Sequence, residues 1–438
     1  MKIHILGIAG TFMSGIAILA KQKGHEVSGS DNVCYDPIKS ILEKQKITVK
    51  LGYKNKDLND KDLIIIGNVM SRGTPIIEYI MKNNIPYTSG PKWLNENILK
   101  NKKVIAVSGT HGKTTTTSMI VHIMKENKLN PSYLIGGDPI GSMKSAHLTN
   151  TEYFVIEADE YDTAFFDKQS KFMHYKPFIL MINNIEFDHA DIFKNIDDII
   201  KSFHHLIRLV PPNGKIIINN NDINIKKLLK FGSWSKLIKI NPKNNIGDFI
   251  ISKKNNNYFI SNKRITCQLP ENLLGYHNNL NAASAIAVCS QLKLPINKQI
   301  KQIKSFQGVK KRLELLNGIK SRIIYEDFAH HPTSIKLSIS TIKEKYKNNK
   351  LLTIFIPGSN SMQLGTHNNS LVSSLNKSNL VLIVTKIKMF KALAKNNNKI
   401  NVIESISQIS QYLVCNDDID IVLILSNKNT NEIKEYLK

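Results

Sequence analysis

Arginine is scarce in this chain of 438 residues. Only five of its 60 basic residues are arginine, although the formal net charge is +25. The many lysines are mixed with asparagine and isoleucine in every segment, a composition typical of AT-rich coding sequence. Lysine also lacks the bidentate fork with which arginine reads bases and phosphates. The composition therefore argues against a nucleic-acid-binding protein, and no nucleic-acid partner is expected.

Cysteines and long apolar runs are also few. The four cysteines, Cys34, Cys267, Cys289 and Cys415, are far apart and form no CxxC pair. They predict free thiols in a reducing compartment rather than a disulfide framework or a zinc site. No apolar run approaches about 18 residues, and the N-terminus lacks the pattern of a signal peptide. We expect a cytoplasmic protein without a membrane partner.

Short apolar runs alternate with helical patterns along the whole chain, which is typical of α/β folds with parallel sheets. The length predicts more than one core, because single cores stop growing at roughly 250 to 300 residues. We expect three consecutive domains: a Rossmann-like domain at 1–100, a P-loop-type central sheet at 101–311 and a second Rossmann-like domain at 312–438. A polar linker is predicted at 95–103, and a small antiparallel insertion at 227–263.

The segment VIAVSGTHGKTTTT, residues 104–117, has a glycine-rich turn between an apolar strand and a helix. A phosphate-binding loop has this setting, because backbone N–H groups of the turn and of the helix N-terminus bind the phosphates of ATP. Val107 stands where the longer GxxxxGK[ST] pattern has its first glycine. Lys113 is expected to neutralise the β and γ oxygens, and the Thr114 hydroxyl to bind Mg²⁺. The predicted ATP-binding residues of this loop are Gly109, Thr110, His111, Gly112, Lys113, Thr114 and Thr115.

Acidic residues close the predicted strand FVIEAD, residues 154–159. Ligand sites open at the carboxyl ends of parallel strands, so this cluster is expected beside the P-loop, with Glu157 as a ligand of Mg²⁺. The segment FDHAD follows the next predicted strand and brings His189 to the same edge. His189 is either a second metal ligand or a structural histidine.

The N-terminal segment ILGIAGTFMSGIA has Gly7, Gly10 and Gly15 between a strand and a helix, and Asp31 ends the next strand. Dinucleotide-binding folds have this arrangement. The spacing departs from GxGxxG, so two alternatives stay open. The first is an NAD-dependent dehydrogenase, which leaves GTHGKTTT and EADE unexplained. The second is a domain that binds a nucleotide diphosphate at the helix N-terminus.

Seven motifs occur in the order and approximate spacing of one family: GIAGTFMSGIA, GTHGKTTT, EADE, NNIEFDHAD, GYHNNLNAASAIA, KKRLE and EDFAHHPT. Over residues 1–336 the chain resembles the Mur ligases of peptidoglycan synthesis, which form amide bonds at the expense of ATP through an acyl phosphate. The stretches NVMSRGTP, YTSGPKWL and EADEYDTAFFDKQSKF are most similar to the branch that joins L-Ala-γ-D-Glu-meso-diaminopimelate to UDP-N-acetylmuramate in peptidoglycan recycling. The alternatives are the UDP-N-acetylmuramate:L-alanine ligases and, more distantly, folylpolyglutamate synthase.

The resemblance implies a role for each domain. The first domain would bind the UDP-sugar through Gly10 and Thr11, the central domain would bind ATP, and the third would close on ATP and receive the amine. Lys113 and His189 would be catalytic, with Thr114 and Glu157 on one Mg²⁺ and His189 on a second. The later motifs would contribute ATP-binding residues at His277, Asn278, Asn281, Arg312 and Asp327.

The expected small-molecule partners are thus UDP-N-acetylmuramate and a peptide amine, with ATP and Mg²⁺ as cofactors. A monomer or weak oligomer is expected. Several Mur ligases carry a carbamylated lysine that supports the second metal. The comparable stretch here is KSFHHLIRL, and no carbamate is expected.

The third domain departs from the family pattern at two places. Gly358 stands in IPGSNSM where the resembling branch is expected to have the arginine of EPRSNTM, and Ser426 to Lys434 replaces a glycine-rich NGGFGG loop. Glycine does not replace a guanidinium at a carboxylate-binding position. Two alternatives are open: altered recognition of the amine, or a C-terminal domain that has decayed under mutational bias.

Overall fold

The structure is a computed structural model that describes residues 1–141, 143–241, 247–316, 322–358, 362, 368–395 and 397–437. The described residues divide into two compact units. The first comprises Met1–Glu186, Ile196–Leu269 and Asn281–Gln307, and the second Phe187–Asn195, Pro270–Leu280 and Gly308–Lys438. Every helix in the described part of the chain is too short or too polar to cross a membrane.

The first sheet lies in the first unit and is wholly parallel. Its strands are β1 (Lys2–Leu6), β2 (Glu26–Asp31), β3 (Thr48–Leu51), β4 (Leu63–Ile66) and β5 (Tyr87–Ser89). Its helices are α1 (Thr11–Gln22), α2 (Ile38–Lys44), α3 (Pro75–Lys82) and α4 (Gly90–Asn97), with a 3-10 turn at Asn55–Leu58. The strand order is β3-β2-β1-β4-β5, so the chain reverses its direction of winding beside β1. The glycine-rich turn after β1 therefore opens where such sheets bind ligands.

The predicted polar linker at 95–103 is wrong in its first part. Helix α4 continues to Asn97, a 3-10 turn covers Leu99–Asn101, and the next strand begins at Lys103. Ile98 and Leu99 are buried, 5% and 2% exposed. These apolar side chains hold the segment in the core despite its polar neighbours.

The second sheet, also in the first unit, has ten strands. They are β6 (Lys103–Ser108), β7 (Ser132–Leu134), β8 (Ala146–His147), β9 (Tyr153–Ala158), β10 (Ile179–Ile182), β11 (Lys215–Asn219), β12 (Lys236–Asn241), β13 (Phe249–Lys254), β14 (Asn257–Ser261) and β15 (Thr266–Gln268). The associated helices are α5 (Lys113–Glu126), α6 (Ile196–Arg208), α7 (Ile223–Leu229), α8 (Gly275–Ser290) and α9 (Ile296–Lys304), with a 3-10 turn at Lys171–His174. Helix α8 begins in the second unit and ends in the first.

The order in this sheet is β15-β14-β13-β12-β11-β10-β6-β9-β7-β8. Strand β6 is central and pairs in parallel with β10 on one side and β9 on the other. The antiparallel pairs β13–β14 and β14–β15 form one edge and confirm antiparallel pairing in the later part of the predicted insertion at 227–263. The prediction is wrong for β12, which pairs in parallel with β11 and β13, and 242–246 lie outside the described residues. The central position of β6 explains its continuous apolar sequence, because both faces of a central parallel strand are buried.

The third sheet lies in the second unit. Its strands are β16 (Glu314–Leu316), β17 (Ile323–Asp327), β18 (Leu351–Ile356), β19 (Leu380–Val384), β20 (Ile400–Ile403) and β21 (Ile421–Ser426). Its helices are α10 (Pro332–Lys345), α11 (Asn368–Leu375), α12 (Lys388–Lys395), α13 (Gln408–Val414) and α14 (Asn431–Tyr436). The order is β16-β17-β21-β18-β19-β20, parallel except for the edge pair β16–β17. Three consecutive α/β sheets confirm the predicted fold class.

Gly15 joins the first sheet to the second within the first unit. A Cβ atom added to Gly15 on α1 would lie 2.1 Å from Cδ1 of Leu134 on β7. At the other end of α1, Leu148 donates its N–H to Gln22 Oε1 over 2.7 Å. This glycine therefore permits the close packing of α1 on the second sheet.

We predict that Gly15→Val lowers the thermal unfolding midpoint by overpacking, at a cost of about 1 to 3 kcal/mol. Helix propensity alone would favour valine over glycine, so a loss reports the packing contact. Leu134→Ala creates a cavity and is also destabilising. In thermal unfolding, the loss of stability in the double variant should be smaller than the sum of the losses in the two single variants. Additive losses would contradict the contact.

Candidate active site

Two glycines shape the turn between β6 and α5. Gly109 and Gly112 have φ angles of 125° and 79°, which side chains rarely adopt. A Cβ on Gly112 would lie 2.4 Å from Asn281 Oδ1, and one on Gly109 would lie 2.9 Å from the Asn184 carbonyl oxygen. Helix α5 begins at Lys113, and its N-cap Gly112 provides no side-chain hydrogen bond. The N-terminus of α5 therefore opens at this glycine-rich turn, a position that suits an anionic ligand.

Three asparagine side chains, from the end of β10 and from α8, hold this turn in place. Asn184 follows β10 and accepts the His111 N–H through Oδ1 over 2.8 Å. Asn183 donates through Nδ2 to the Thr116 hydroxyl oxygen over 3.2 Å. The Thr116 hydroxyl in turn donates to Asn281 Oδ1 over 3.3 Å. Asn183 and Asn184 were not predicted as supports, although the pair NN at a strand end beside the P-loop is a usable signal.

Two further loop residues contact the end of the next segment. Thr110 accepts the Glu186 N–H through Oγ1 over 2.8 Å and donates to the Glu186 carbonyl oxygen over 3.2 Å. His111 Nε2 lies 3.6 Å from Glu186 Oε2. Thr115 is buried in the first turn of α5, 8% exposed. The loop is therefore fixed by the segment after β10 as well as by its own helix.

The Lys113 ammonium is held at the mouth of the turn. Its Nζ donates to the Gly109 carbonyl oxygen over 2.7 Å and to Glu160 Oε2 over 3.0 Å, and Asp159 Oδ1 is 3.7 Å away. Burial alone would lower the pKa of Lys113, but Glu160, Asp159 and Glu157 outweigh it and hold the pKa above its ordinary value. Lys113 therefore carries a positive charge at any physiological pH. The sequence did not identify Glu160 as its partner.

Glu157 lies beside the turn, as predicted from parallel pairing. It is the partner of Val107 in the register of β9 with β6. Thr114 Oγ1 donates to Glu157 Oε2 over 3.2 Å, and the Gly136 N–H donates to Glu157 Oε1 over 2.7 Å. A hydroxyl and a carboxylate converge here, and hard oxygens of this kind are the ligands that Mg²⁺ prefers.

The turn after β1 has a similar form. The Ala9 N–H donates to Asp31 Oδ2 over 2.9 Å, and the Gly10 N–H to the Gly7 carbonyl oxygen over 3.2 Å. The N-cap Gly10 provides no side-chain hydrogen bond to α1, and Thr11 is exposed at the first helical position. Asp31 thus stabilises the turn itself. Gly10 and Thr11 lie at an open helix N-terminus, which suits a phosphate.

His189 belongs to the second unit, in a tight turn with φ of 57°. The His189 N–H donates to Asp188 Oδ1 over 2.8 Å, and His330 Nε2 lies 3.9 Å from Asp188 Oδ2. Burial would raise the pKa of Asp188, but His189 and His330 outweigh it and lower the pKa to about 2. His331 supports the same turn, with Nε2 3.2 Å from the Phe187 carbonyl oxygen. The structure thus joins the FDHAD and EDFAHHPT motifs.

Arg312 and Asp327, predicted from separate motifs, also come together in the second unit. Asp327 accepts the Leu313 N–H over 2.8 Å and the Ala329 N–H over 2.7 Å. The Arg312 guanidinium lies 4.7 Å from the centre of the Phe328 ring. Burial raises the pKa of Asp327 to about 6, although Arg312 and the two backbone donors oppose it.

The adenine-binding residues expected on α8 fall on both units. His277 lies in its first turn, and its Nδ1 is buried without a hydrogen-bond partner among the described residues. Burial lowers the pKa of His277 to about 4, so the ring is neutral. Asn278 donates to the Leu274 carbonyl oxygen over 3.0 Å, and Asn281 supports the P-loop. The neutral ring of His277 can accept a hydrogen bond from a nucleobase or donate one to it.

The two places where the third domain departs from the family pattern, at Gly358 and at 426–434, lie next to each other in the structure. Gly358 follows β18 and Asn427 follows β21, and these strands pair in parallel with Ile356 opposite Ser426. A Cβ on Gly358 would lie 2.1 Å from Asn427 Oδ1. Residues 359–361 of IPGSNSM lie outside the described residues. An arginine at 358 would require Asn427 to move, so the two departures are matched to each other.

A buried carboxylate fixes the segment after β21. Glu326 on β17 has no exposed surface, and its Oε2 lies 2.6 Å from Lys434 Nζ. Lys311 Nζ lies 3.4 Å from Glu326 Oε1 and donates to the Lys428 carbonyl oxygen over 2.8 Å. Thr430 donates its hydroxyl to Glu326 as well. The replaced loop therefore has its own buried contacts, which were not predicted.

Comparison with known families identifies two matches. Residues 2–102 match the catalytic domain of the Mur ligase family, and residues 107–289 match the Mur ligase middle domain. A protein of Escherichia coli K12, UDP-N-acetylmuramate–L-alanyl-γ-D-glutamyl-meso-2,6-diaminoheptandioate ligase, is 41% identical over 388 residues, 88% of this chain and 85% of that protein. A UDP-N-acetylmuramate–L-alanine ligase of Clostridium acetobutylicum is 32% identical over 99% of this chain and 96% of its own length.

Among solved structures, a murein peptide ligase from Psychrobacter arcticus is similar over the whole chain. The TM-score is 0.79, the identity is 34%, and the match covers 100% of this chain and 98% of the other. The shared architecture extends through the third sheet, where the two sequence departures lie.

We predict that the stability of this protein depends on pH through Asp327. Its pKa of about 6 in the fold exceeds the value of about 3.9 in an unfolded chain, so the folded state keeps a proton that the unfolded chain releases. The free energy of unfolding should therefore fall by roughly 3 kcal/mol in total as the pH rises from below about 4 to about 7, through the folded pKa. Above about pH 7 Asp327 is ionised in both states, and this contribution should be constant.

The measurement is the thermal unfolding midpoint between pH 4.5 and 8. Asp327→Asn should abolish the loss of stability that Asp327 causes as the pH rises. Asp417→Asn, which changes an exposed acid in the same unit, should retain that loss. Identical pH profiles for the wild type and Asp327→Asn would contradict the shifted pKa.

Proposed function

Because the chain belongs to the Mur ligase family of ATP-dependent ligases, we propose that it joins a peptide amine to the lactoyl carboxylate of UDP-N-acetylmuramate. The peptide in this proposal is L-alanyl-γ-D-glutamyl-meso-diaminopimelate, the substrate in the name of the Escherichia coli relative. The reaction would consume ATP and release ADP and phosphate.

The observation that carries the proposal is the cluster at the P-loop. A buried ammonium, Lys113, and an oxygen pair, Thr114 and Glu157, lie on adjoining strand ends of one parallel sheet. Phosphoryl transfer is catalysed mainly by positioning and by neutralising charge, which these groups supply.

The chemistry explains why ATP is needed. A carboxylate does not react with an amine at neutral pH, because its charge repels the nucleophile and oxide is a very poor leaving group. In the proposed reaction, a carboxylate oxygen attacks the γ-phosphorus, and the bond from that phosphorus to ADP breaks. The peptide nitrogen then attacks the acyl carbon, loses a proton and displaces phosphate. Lys113 would neutralise the phosphate charge during the first step.

Magnesium fits the oxygen pair. Thr114 Oγ1 and Glu157 Oε2 converge to 3.2 Å, and both are hard oxygen ligands. We propose that they hold one Mg²⁺ and that His189 contributes to a second. When bound, the ions would polarise the γ-phosphoryl oxygens and hold the two reactants together.

The remaining ligand contacts are part of the proposal. Gly10 and Thr11 would bind the diphosphate of the UDP-sugar at the N-terminus of α1, within a first domain at 1–100. His277, Asn278 and Asn281 would contact adenine of ATP in a central domain at 101–311. A third domain at 312–438 would close on ATP through Arg312 and Asp327 and receive the amine.

The amine substrate in this proposal is the tripeptide rather than L-alanine. The relative from Clostridium acetobutylicum is named for L-alanine, but at 32% identity it is less similar than the Escherichia coli protein at 41%. Gly358 and Asn427 are packed against each other, and the buried Glu326 forms an ion pair with Lys434 in the segment 426–434. These contacts favour a remodelled amine site over a decayed one.

We predict that Lys113→Ala lowers ADP release by at least about 100-fold, because an ammonium that neutralises developing charge is lost. Binding of UDP-N-acetylmuramate should change little, since Gly10 and Thr11 lie on the first sheet. ADP release and equilibrium binding of the UDP-sugar are the two measurements. Lys125→Ala, in the last turn of the same helix α5, is the matched control and should retain turnover. Equal losses of turnover and UDP-sugar affinity would contradict the assignment.

We expect the amine to be identified by product mass. Purified protein receives ATP, Mg²⁺, UDP-N-acetylmuramate and either the tripeptide or L-alanine. Amide formation with the tripeptide is the predicted result. A product with L-alanine only would refute the tripeptide assignment, and phosphate release with neither amine would support decay of the third domain.

A further inference from the structure

Lys171 is a half-buried lysine that the ATP site alone does not explain. It begins the 3-10 turn Lys171–His174 in the first unit, and its side chain is 13% exposed. Its Nζ donates to Asp159 Oδ2 over 3.1 Å. The ammonium also faces two aromatic rings, 5.4 Å from the centre of Phe12 and 5.5 Å from that of Tyr161.

The hydrogen bonding of this ammonium is incomplete. A lysine ammonium has three N–H donors, and Asp159 is the one hydrogen-bond acceptor that Lys171 Nζ meets in the described part of the chain. Aromatic faces attract a cation but do not replace the missing acceptors. Because little solvent reaches this half-buried ammonium, its remaining donors favour an additional anionic partner.

Lys171 lies between the two proposed substrate sites. Asp159 contacts Lys171 with Oδ2, and its Oδ1 is 3.7 Å from Lys113 Nζ at the P-loop. On the other side, Phe12 follows Thr11 in the first turn of α1, the proposed position of the UDP-sugar diphosphate. A UDP-sugar bound at the N-terminus of α1 would have to bring its lactoyl carboxylate past Lys171 to reach a γ-phosphate at the P-loop.

The segment that carries Lys171 is fixed in place. Ser89 at the end of β5 donates its hydroxyl to Asp167 Oδ2 over 3.0 Å, and His174 Nε2 lies 2.7 Å from the same oxygen. The rings of Tyr87 and Phe166 meet edge to face at 4.9 Å. Two stretches that are remote in sequence, YTSG and FFDKQSKF, therefore hold Lys171 between the first two sheets. A binding group fixed before the ligand arrives costs less entropy on binding.

We propose that Lys171 binds the lactoyl carboxylate of UDP-N-acetylmuramate and positions it toward the γ-phosphate of ATP. The inference rests on the proposed function, because that function supplies the carboxylate. The role of Lys171 differs from that of Lys113, which serves the phosphates. Asp159 would orient both ammonium groups through its two oxygens.

The test compares two ligands that differ in this carboxylate. UDP-N-acetylmuramate carries the lactoyl group, and UDP-N-acetylglucosamine lacks it. Equilibrium binding of each is measured by calorimetry with the full chain, in the presence of Mg²⁺ and a non-hydrolysable ATP analogue. The wild type should prefer UDP-N-acetylmuramate, and Lys171→Met should lose about 10-fold to 100-fold in affinity for that ligand alone.

Two further variants control the test. Lys168→Met removes a lysine of the same segment that is 68% exposed and pairs with Asp162, and it should keep the preference. Lys171→Arg retains the positive charge and should restore part of the affinity lost in Lys171→Met. It also keeps the test valid if Lys171→Met fails to fold.

Three outcomes would overturn the inference and leave the proposed function intact. Equal losses for both ligands in Lys171→Met would indicate a structural role, and an unchanged preference would indicate no contact with the carboxylate. A Lys171→Arg variant as weak as a folded Lys171→Met variant would exclude charge recognition. A wild-type protein that binds neither UDP-sugar would refute the proposed function itself, and the inference with it. This result differs from the three outcomes above, in which the wild type binds UDP-N-acetylmuramate.

Discussion

The parallel pairing of β6 with β9 brings the glycine-rich turn after β6 and three carboxylates to one sheet edge. Val107 pairs with Glu157, and the chain beyond β9 continues into Asp159 and Glu160. Three acids at one edge repel one another unless cations lie among them. Lys113 supplies one cation here. The rest of the site depends on this balance of charge, which a metal ion and a second lysine would complete.

This charge balance links the first two sheets. Lys171 reaches Asp159 from a segment that also contacts Ser89 and the ring of Phe12. Gly15 lets α1, the helix that begins at the proposed UDP-sugar site, pack closely on Leu134 of the sheet that carries the P-loop. Substrates on two sheets can react only if such an interface fixes their separation.

Much of the fold could be predicted from the sequence because its signals are local. The apolar strands, the glycine-rich turns and the position of Glu157 beside the P-loop follow from periodicity and from the geometry of parallel sheets. The linker prediction at 95–103 was wrong in its first part because the burial of Ile98 and Leu99 depends on packing against distant residues. Contacts between strands far apart in sequence have no local signal.

The candidate site divides in the same way. The positions of Lys113 and Thr114 at the start of a helix after a glycine-rich turn could be predicted from one motif. The contact of Gly358 with Asn427 required the knowledge that β18 lies next to β21. That contact changes the interpretation of the third domain, since two departures that appear separate in sequence are fitted to each other. The proposed role of Lys171 likewise depends on its contacts with Phe12 and Asp159, which have no signal in the sequence.

The central claim is that a carboxylate of the UDP-sugar is activated by phosphoryl transfer from ATP. It is tested most directly with UDP-N-acetylmuramate whose lactoyl carboxylate oxygens are labelled with ¹⁸O, supplied with ATP, Mg²⁺ and the tripeptide. If the carboxylate attacks the γ-phosphorus, the oxygen it contributes leaves with phosphate, and each phosphate released should carry one ¹⁸O atom. Amide formation accompanied by unlabelled phosphate would contradict the account.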